Sequence, residues 1–325
     1  MTFQDQLQSQ GAEAASHLRW KQLFVGRDGL RAGWRLSIFF ALIGLVLAGQ
    51  FFLAGARVVN PEHIVITPQL LGANDAIVLL ILGAVTWIMG KIERRKFSGY
   101  GLPLRKALGK EFWLGSLIGF ITISSTLLGL FLLHDFRITG LALHGSAVFT
   151  SLAAWAIAFL LVGLFEEFAF RGYTQFTLAS GIGFWPAAVV ISGLFGLAHL
   201  IADPNENATG SAAVVLFGLL LCFFLRRTGN LWCAVGFHAA YDWGQTFFYG
   251  VPDSGIAPYH NLLSSRLSGP HWLSGGAVGP EASVVTPIVL LIVALIFNRY
   301  YPKDRFPIPR ADSMPAAASA QLVGF

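Results

Sequence analysis

Two adjacent carboxylates and an arginine, Glu166, Glu167 and Arg171, lie inside an apolar run that begins near Phe149. An ionisable Asp, Lys or Arg at a membrane helix centre costs roughly 2.5–3.5 kcal/mol even on a lenient insertion scale, so such groups read as functional. On a helix Glu167 and Arg171 are four apart and share a face, so they can pair. Glu166 is rotated from Glu167 by about 100°. The local sequence thus gives Glu167 to Arg171 and marks Glu166 as the carboxylate kept for chemistry. The plainer alternative is a buried ion-pair cluster that only fixes helix register.

Two more polar groups occupy apolar runs at helical spacing, in Phe195-Gly-Leu-Ala-His199 and His238-Ala-Ala-Tyr-Asp242. Asp242 is expected to orient His238, or to join it on one ligand. A hairpin turn at Gly181–Gly183 separates Glu166 from His199 almost evenly. Both should therefore sit ~25 Å from that turn, at similar height. A lone histidine in an apolar helix is ordinarily a core residue. Two histidines, an aspartate and a glutamate on separate spans instead point to one site. The remaining histidines, His17, His63, His134, His144, His260 and His271, read as solvated. Asp203 and Glu206 read as loop solvation, and Phe195 and Tyr241 as packing. Cys222 and Cys233 lack metal-type spacing and read as small buried hydrophobes, not as a disulfide framework.

The elements that carry these residues are apolar and long. The 325-residue chain is 55% hydrophobic and only 12% charged, with mean hydropathy +0.63. Those values exclude an ordinary soluble domain and predict an all-α polytopic membrane helix bundle of about eight transmembrane helices. The spans are expected at about 34–53, 76–90, 112–133, 149–178, 186–200, 212–225, 231–249 and 281–297. Residues 1–33 form a polar arm, 34–300 the bundle and 301–325 a tail expected to be disordered. The polar arm ahead of a span-length run does not resemble a cleavable signal peptide. A basic block at 91–110, around Gly99-Tyr-Gly-Leu-Pro103, reads as a turn and a short interfacial helix. Net charge is +5, but the cations fall in short loops without interleaved aromatics, so the expected partner is the bilayer and not nucleic acid. They gather on alternate loops, in the arm, at 91–110, at Arg226-Arg227 and after Phe297. That asymmetry puts both termini in the cytoplasm, with the plasma (inner) membrane the expected location.

Glu166-Glu167-xxx-Arg171, Phe195-xxx-His199 and His238-xxx-Asp242, in this order, resemble the three motifs of the CPBP intramembrane protease family. That family includes the type II CAAX prenyl endopeptidases and bacteriocin-processing and self-immunity proteins. The resemblance covers about residues 95–250 and implies intramembrane endopeptidase activity on a peptide or protein substrate. In this reading Glu166 activates the water, His199 positions it, and His238 with Asp242 stabilises the tetrahedral intermediate. Arg171 holds Glu167. The family is described both as metalloproteases and as glutamate-dependent enzymes. A second version therefore has His199, His238 and Glu166 bind Zn2+ or another divalent metal. The rival readings are a non-catalytic immunity or binding protein and a proton-coupled transporter.

Overall fold

The computed structural model describes residues 24–26, 29–53, 65–202 and 205–306. The polar arm up to 23, His17, His63, Asp203 and the tail from 307 lie outside them. The architecture is a helix bundle with four short strands. Its helices are α1 (Ala32–Leu53), α2 (Pro68–Ile92), α3 (Lys110–Leu132), α4 (Ser146–Glu167), α5 (Gln175–Ile182), α6 (Phe184–Ala202), α7 (Ala208–Thr228), α8 (Trp232–Trp243), α9 (His271–Ser274) and α10 (Val285–Tyr300). The strands are β1 (Val25–Gly26), β2 (Gly29–Leu30), β3 (Phe136–Leu141) and β4 (Leu263–Leu267), paired antiparallel as β1–β2 and β3–β4.

Among the described residues, five stretches are long and apolar enough to cross a membrane: α2, α3, α4 running on through α5, α6 and α7. Of the other three expected spans, α1 runs over 22 residues, while two fall short of that length. The apolar part of α1 is described over Ala32–Val46, α10 has 16 residues, and α8 has 12. The reason is clearest for α8, which is buried on nearly every side. A helix surrounded by protein has no need to match the thickness of the bilayer.

Local chemistry sets the element ends. Thr67 caps α2, accepting from the Leu70 amide at 3.2 Å, and Pro68 follows at the first helical position. This start lies about two turns before the expected one and draws Asp75 into the helix. Asn207 caps α7 by accepting from the Thr209 and Gly210 amides at 2.9 and 3.1 Å. Gly229, at φ +76°, ends α7 and lets the chain turn directly into α8. The block after α2 is not a helix. It forms two single 3-10 turns, Phe97–Tyr100 and Leu104–Lys106, broken by Gly101 and Pro103.

The most intimate helix pair is α3 against α8. Gly115 and Gly119 on α3 face the carbonyls of Cys233 and Phe237, and Gly236 on α8 faces the carbonyl of Phe112. Small residues four apart let two backbones touch, which is how membrane helices gain packing without a hydrophobic drive. This seam fixes the height and rotation of the helix that carries His238.

The two ends of the bundle are held differently. At one end the basic groups expected to share a side do gather. Arg35 pairs with Glu93 at 3.0 Å, and Arg226 and Arg227 each pair with Asp304 at 2.6 Å. At the other end β3 and β4 clip together the loops after α3 and α8. His134, His144 and His260 in loops and His271 at the start of α9 are all exposed, and both cysteines are buried and unoxidised.

A side chain at Gly119 would fall on the Phe237 carbonyl, so Gly119→Ala must push α8 off α3. The expected cost is about 1–3 kcal/mol, read as a lower thermal unfolding midpoint of the purified protein. Gly83→Ala, where no atom lies within 4 Å of the new carbon, should leave the midpoint unchanged or slightly higher.

Candidate active site

The helix carrying the adjacent glutamates does not continue straight to the hairpin. At Glu167 α4 passes into a π-helical segment, Phe168–Thr174, before α5 begins. Gly172 leaves helical geometry there, and a side chain on it would strike the Phe168 ring. The Thr174 hydroxyl donates to the Ala169 carbonyl at 2.6 Å, and the Tyr173 hydroxyl donates to Glu93. Glu93 also accepts from Arg35 at 3.0 Å and Tyr100 at 3.2 Å. One carboxylate at the basic end therefore ties α1, α2 and the π segment together. Such segments favour functional sites because they re-aim the side chains around them.

Glu167 and Arg171 are both wholly buried, with Nη1 3.2 Å from Oε1. The guanidinium lies 4.2 Å from the centre of the Phe195 ring, a cation–π contact. It also reaches α7 at Gly218, where any side chain would collide with Nη2. Glu167 Oε1 is in addition 2.9 Å from His238 Nδ1. An ionised carboxylate can only accept, so Nδ1 carries the hydrogen.

That contact changes one expectation. The group that orients His238 is Glu167, 71 residues away in sequence, and not Asp242 one turn further along α8. Asp242 stands on the other side of the ring, with Oδ2 3.4 Å from Nε2, and Glu166 Oε2 lies 3.6 Å from the same nitrogen. His238 thus bridges a buried carboxylate on one side and two cavity carboxyl groups on the other.

His199 Nδ1 lies 2.9 Å from the Phe195 carbonyl. A carbonyl cannot donate, so Nδ1 is again the protonated nitrogen and Nε2 is available to the cavity. The Phe195 ring packs edge-on against both imidazoles, at 4.5 Å from His199 and 6.2 Å from His238.

Glu166, His199, His238 and Asp242 line a single cavity of about 180 Å³. Glu167 and Arg171 do not line it; they support His238 from behind. Phe195 and Tyr241, expected as packing, are each 1% exposed and also form part of the wall.

Three acidic wall residues were not anticipated from sequence: Asp75 from α2, and Asp253 and Glu281 from the long loop after α8. The Thr67-Pro68 helix start would have placed Asp75 inside the span. Asp253 and Glu281 carry no such signal, because the loop fold brings them in. Asp253 Oδ2 accepts from the Thr246 hydroxyl at 3.0 Å, while Glu281 accepts from Gln245 Nε2 at 2.8 Å and the Ser254 amide at 2.5 Å. Burial pushes the Asp253 carboxyl up to about 6. Burial, and then the charge of Asp253, raises Glu281 well above the ordinary carboxylate range. Glu206 is half-buried and accepts from the Asn207 amide at 2.9 Å, so it is not the solvated loop residue expected.

Both imidazoles engage an oxygen acceptor through Nδ1 and keep Nε2 for the cavity, the arrangement metal-ligating histidines use. With Glu166 the donor types suit zinc. Among the described residues, however, no group of three His, Cys, Asp or Glu is gathered closely enough to hold a metal ion.

Arg171→Gln would leave Glu167 in the core with its charge only partly met. The expected loss is about 3–5 kcal/mol of stability, read by thermal or chemical unfolding. Adding Glu167→Gln in the same chain should restore part of it.

Residues 147–244 match the family described as type II CAAX prenyl endopeptidase, Rce1-like. No curated protein gives a significant match. The matched segment runs from the first turn of α4 to just beyond α8 and contains Glu166, Glu167, Arg171, His199, His238 and Asp242. That match spans all three motifs and is consistent with the resemblance to the CPBP family that they carry.

Proposed function

We propose that this protein is an intramembrane endopeptidase that cleaves peptide bonds with a water activated by Glu166. The supporting observation is the convergence of Glu166, His199, His238 and Asp242, from three separate helices, on one cavity. Hydrolysis needs a base for water, a donor for the oxyanion and a proton for the leaving amine. Glu166 takes a proton as the water oxygen attacks the carbonyl carbon. The Nε2 lone pair of His199 accepts the second hydrogen of that water and fixes its orientation. In its doubly protonated form His238, held through Nδ1 by Glu167, donates from Nε2 to the tetrahedral oxyanion. Asp242 Oδ2 stands 3.4 Å from the same Nε2 and bounds the place where the oxyanion would sit. The C–N bond then breaks, and Glu166 returns its proton to the amine nitrogen.

The substrate is a peptide or protein segment that reaches the cavity from the bilayer. The positive-inside tendency assigns the basic end of the bundle to the cytoplasm, with the plasma membrane as the location. Zinc held by His199, His238 and Glu166 would supply a bound water acidified to a pKa of about 7.

Glu166→Gln keeps shape and removes the base. Cleavage, followed by mass-spectrometric profiling of peptide products, should fall by about 10²–10⁴-fold, while thermal unfolding stays near wild type. Unchanged biological activity of that variant would favour a non-catalytic binding role, and cleavage products undiminished in it would remove Glu166 as the base. The donor spacing leads us to expect that the purified protein keeps its activity under strong chelation. Loss on chelation and recovery with added zinc would instead make His199, His238 and Glu166 metal ligands.

A further inference from the structure

At the basic end of the bundle, α2 leads into a second cavity, of about 480 Å³, lined by Trp87, Lys91, Arg94, Arg95, Lys96 and Phe97 with the Gly90 backbone. No carboxylate among the described residues lines it. Among the described residues, Arg35, Lys106, Arg226 and Arg227 at this end have acidic partners. No salt bridge among the described residues engages Lys91, Arg94 or Lys96, and all three are exposed. Several cations around one hollow repel each other unless an anion sits among them.

The turn that arranges them is built rather than loose. Arg94 adopts φ +53°, and the Arg95 amide donates to the Gly90 carbonyl at 2.8 Å. A side chain at Gly90 would meet the Arg95 carbonyl oxygen at 2.8 Å. Arg95 turns inward, lying 4.6 Å from the Tyr100 ring centre and 5.2 Å from that of Phe176. With Arg95 anchored there, its neighbours Arg94 and Lys96 are left exposed at the hollow.

We propose that this hollow binds the phosphodiester headgroup of an anionic phospholipid. Its place at the end of a membrane helix argues for a lipid over a free phosphate. Leu80, Ala84, Trp87 and Lys91 are exposed and recur at intervals of four, three and four, so they form one stripe along α2. Lys91 Nζ lies 5.2 Å from the Trp87 ring centre, where an ammonium sits at headgroup level above an interfacial tryptophan. Acyl chains can follow the apolar part of the stripe while Lys91, Arg94 and Lys96 hold the phosphate. Basic pockets beside membrane helices recognise acidic headgroups in this way. The proposal is independent of the proteolytic reading.

The test is native mass spectrometry of the purified full-length protein, with phosphatidylglycerol or phosphatidylcholine added. Wild type should retain phosphatidylglycerol preferentially. The triple variant K91Q/R94Q/K96Q should lose that retention by about tenfold or more, given three charges near the headgroup. R105Q/K110Q removes two cations that do not line the hollow and should leave retention unchanged. Should the triple variant fail to fold, Trp87→Ala serves alone, since it keeps every charge and should still weaken retention. Retention undiminished in the triple variant, or by Trp87→Ala where that variant serves alone, would overturn the proposal. So would an equal loss in R105Q/K110Q. Displacement of the lipid by inorganic phosphate would reassign the site to a free anion.

Discussion

A charge buried at the centre of a membrane bundle must be matched there, and the contact of Glu167 with Arg171 and His238 is how this chain does it. Removing an ion from water costs several kcal/mol even after the protein relaxes. Glu167 recovers that only by accepting from both partners at Oε1, at 3.2 and 2.9 Å. Arg171 in turn needs a space that bare helices supply. It lies against the Phe195 face and on Gly218, where α7 carries no side chain. Three motifs far apart in sequence are thereby bound to one another. The first supplies the anion and the guanidinium, the second the aromatic face, and the third the imidazole.

What the sequence made legible follows from this arrangement. Residues four apart on one helix share a face, so Glu167 and Arg171 could be paired on paper. The arithmetic about the Gly181–Gly183 turn put Glu166 and His199 at matching heights, and both line the same cavity. Periodicity sees only one helix at a time, which is why it offered Asp242 either to orient His238 or to join it on one ligand, and both do face one cavity. The true partner reaches across from α4, and no spacing rule reports a contact between helices. The same blindness hid Asp253 and Glu281. They enter the wall because β3 pairs with β4 and folds a long loop over the cavity. Asp75 is a different kind of miss, since the Thr-Pro signal for an earlier α2 start was present and a hydropathy boundary overrode it.

The span count has a related explanation. Hydropathy reads lipid exposure, and α8 has little. It packs backbone to backbone on α3, and a side chain on Gly163 of α4 would come within 3.1 Å of its Val235 carbonyl. Twelve residues suffice because protein, not lipid, surrounds it. The same burial permits irregular backbone at depth. Both motif-bearing helices on either side of His238 run into π segments, Phe168–Thr174 after the glutamates and Gly244–Tyr249 after Asp242. Facing lipid, such segments would leave polar backbone groups without partners; inside a protein-lined site they are tolerated.

The loop over the cavity faces an electrostatic problem, because it brings two carboxyl groups toward a wall that already holds Glu166 and Asp242. Four anions could not share so small a space. Burial raises Asp253 to about 6, and burial with the charge of Asp253 raises Glu281 well above the ordinary carboxylate range, so the pair tends to retain a proton. Carboxyls whose pKa rises on folding favour the folded loop while protonated, and that contribution fades as pH climbs from the ordinary carboxylate range through their raised values. The protonated pair keeps its hydrogen bonds to Thr246, Gln245 and Ser254 and lets the loop rest over the cavity. Closure at this end and ion pairing at the other are thus opposite answers to one constraint. Where a cation is at hand, as for Glu167 and at the basic end, charge is matched by charge, and in the buried loop a carboxyl keeps its proton.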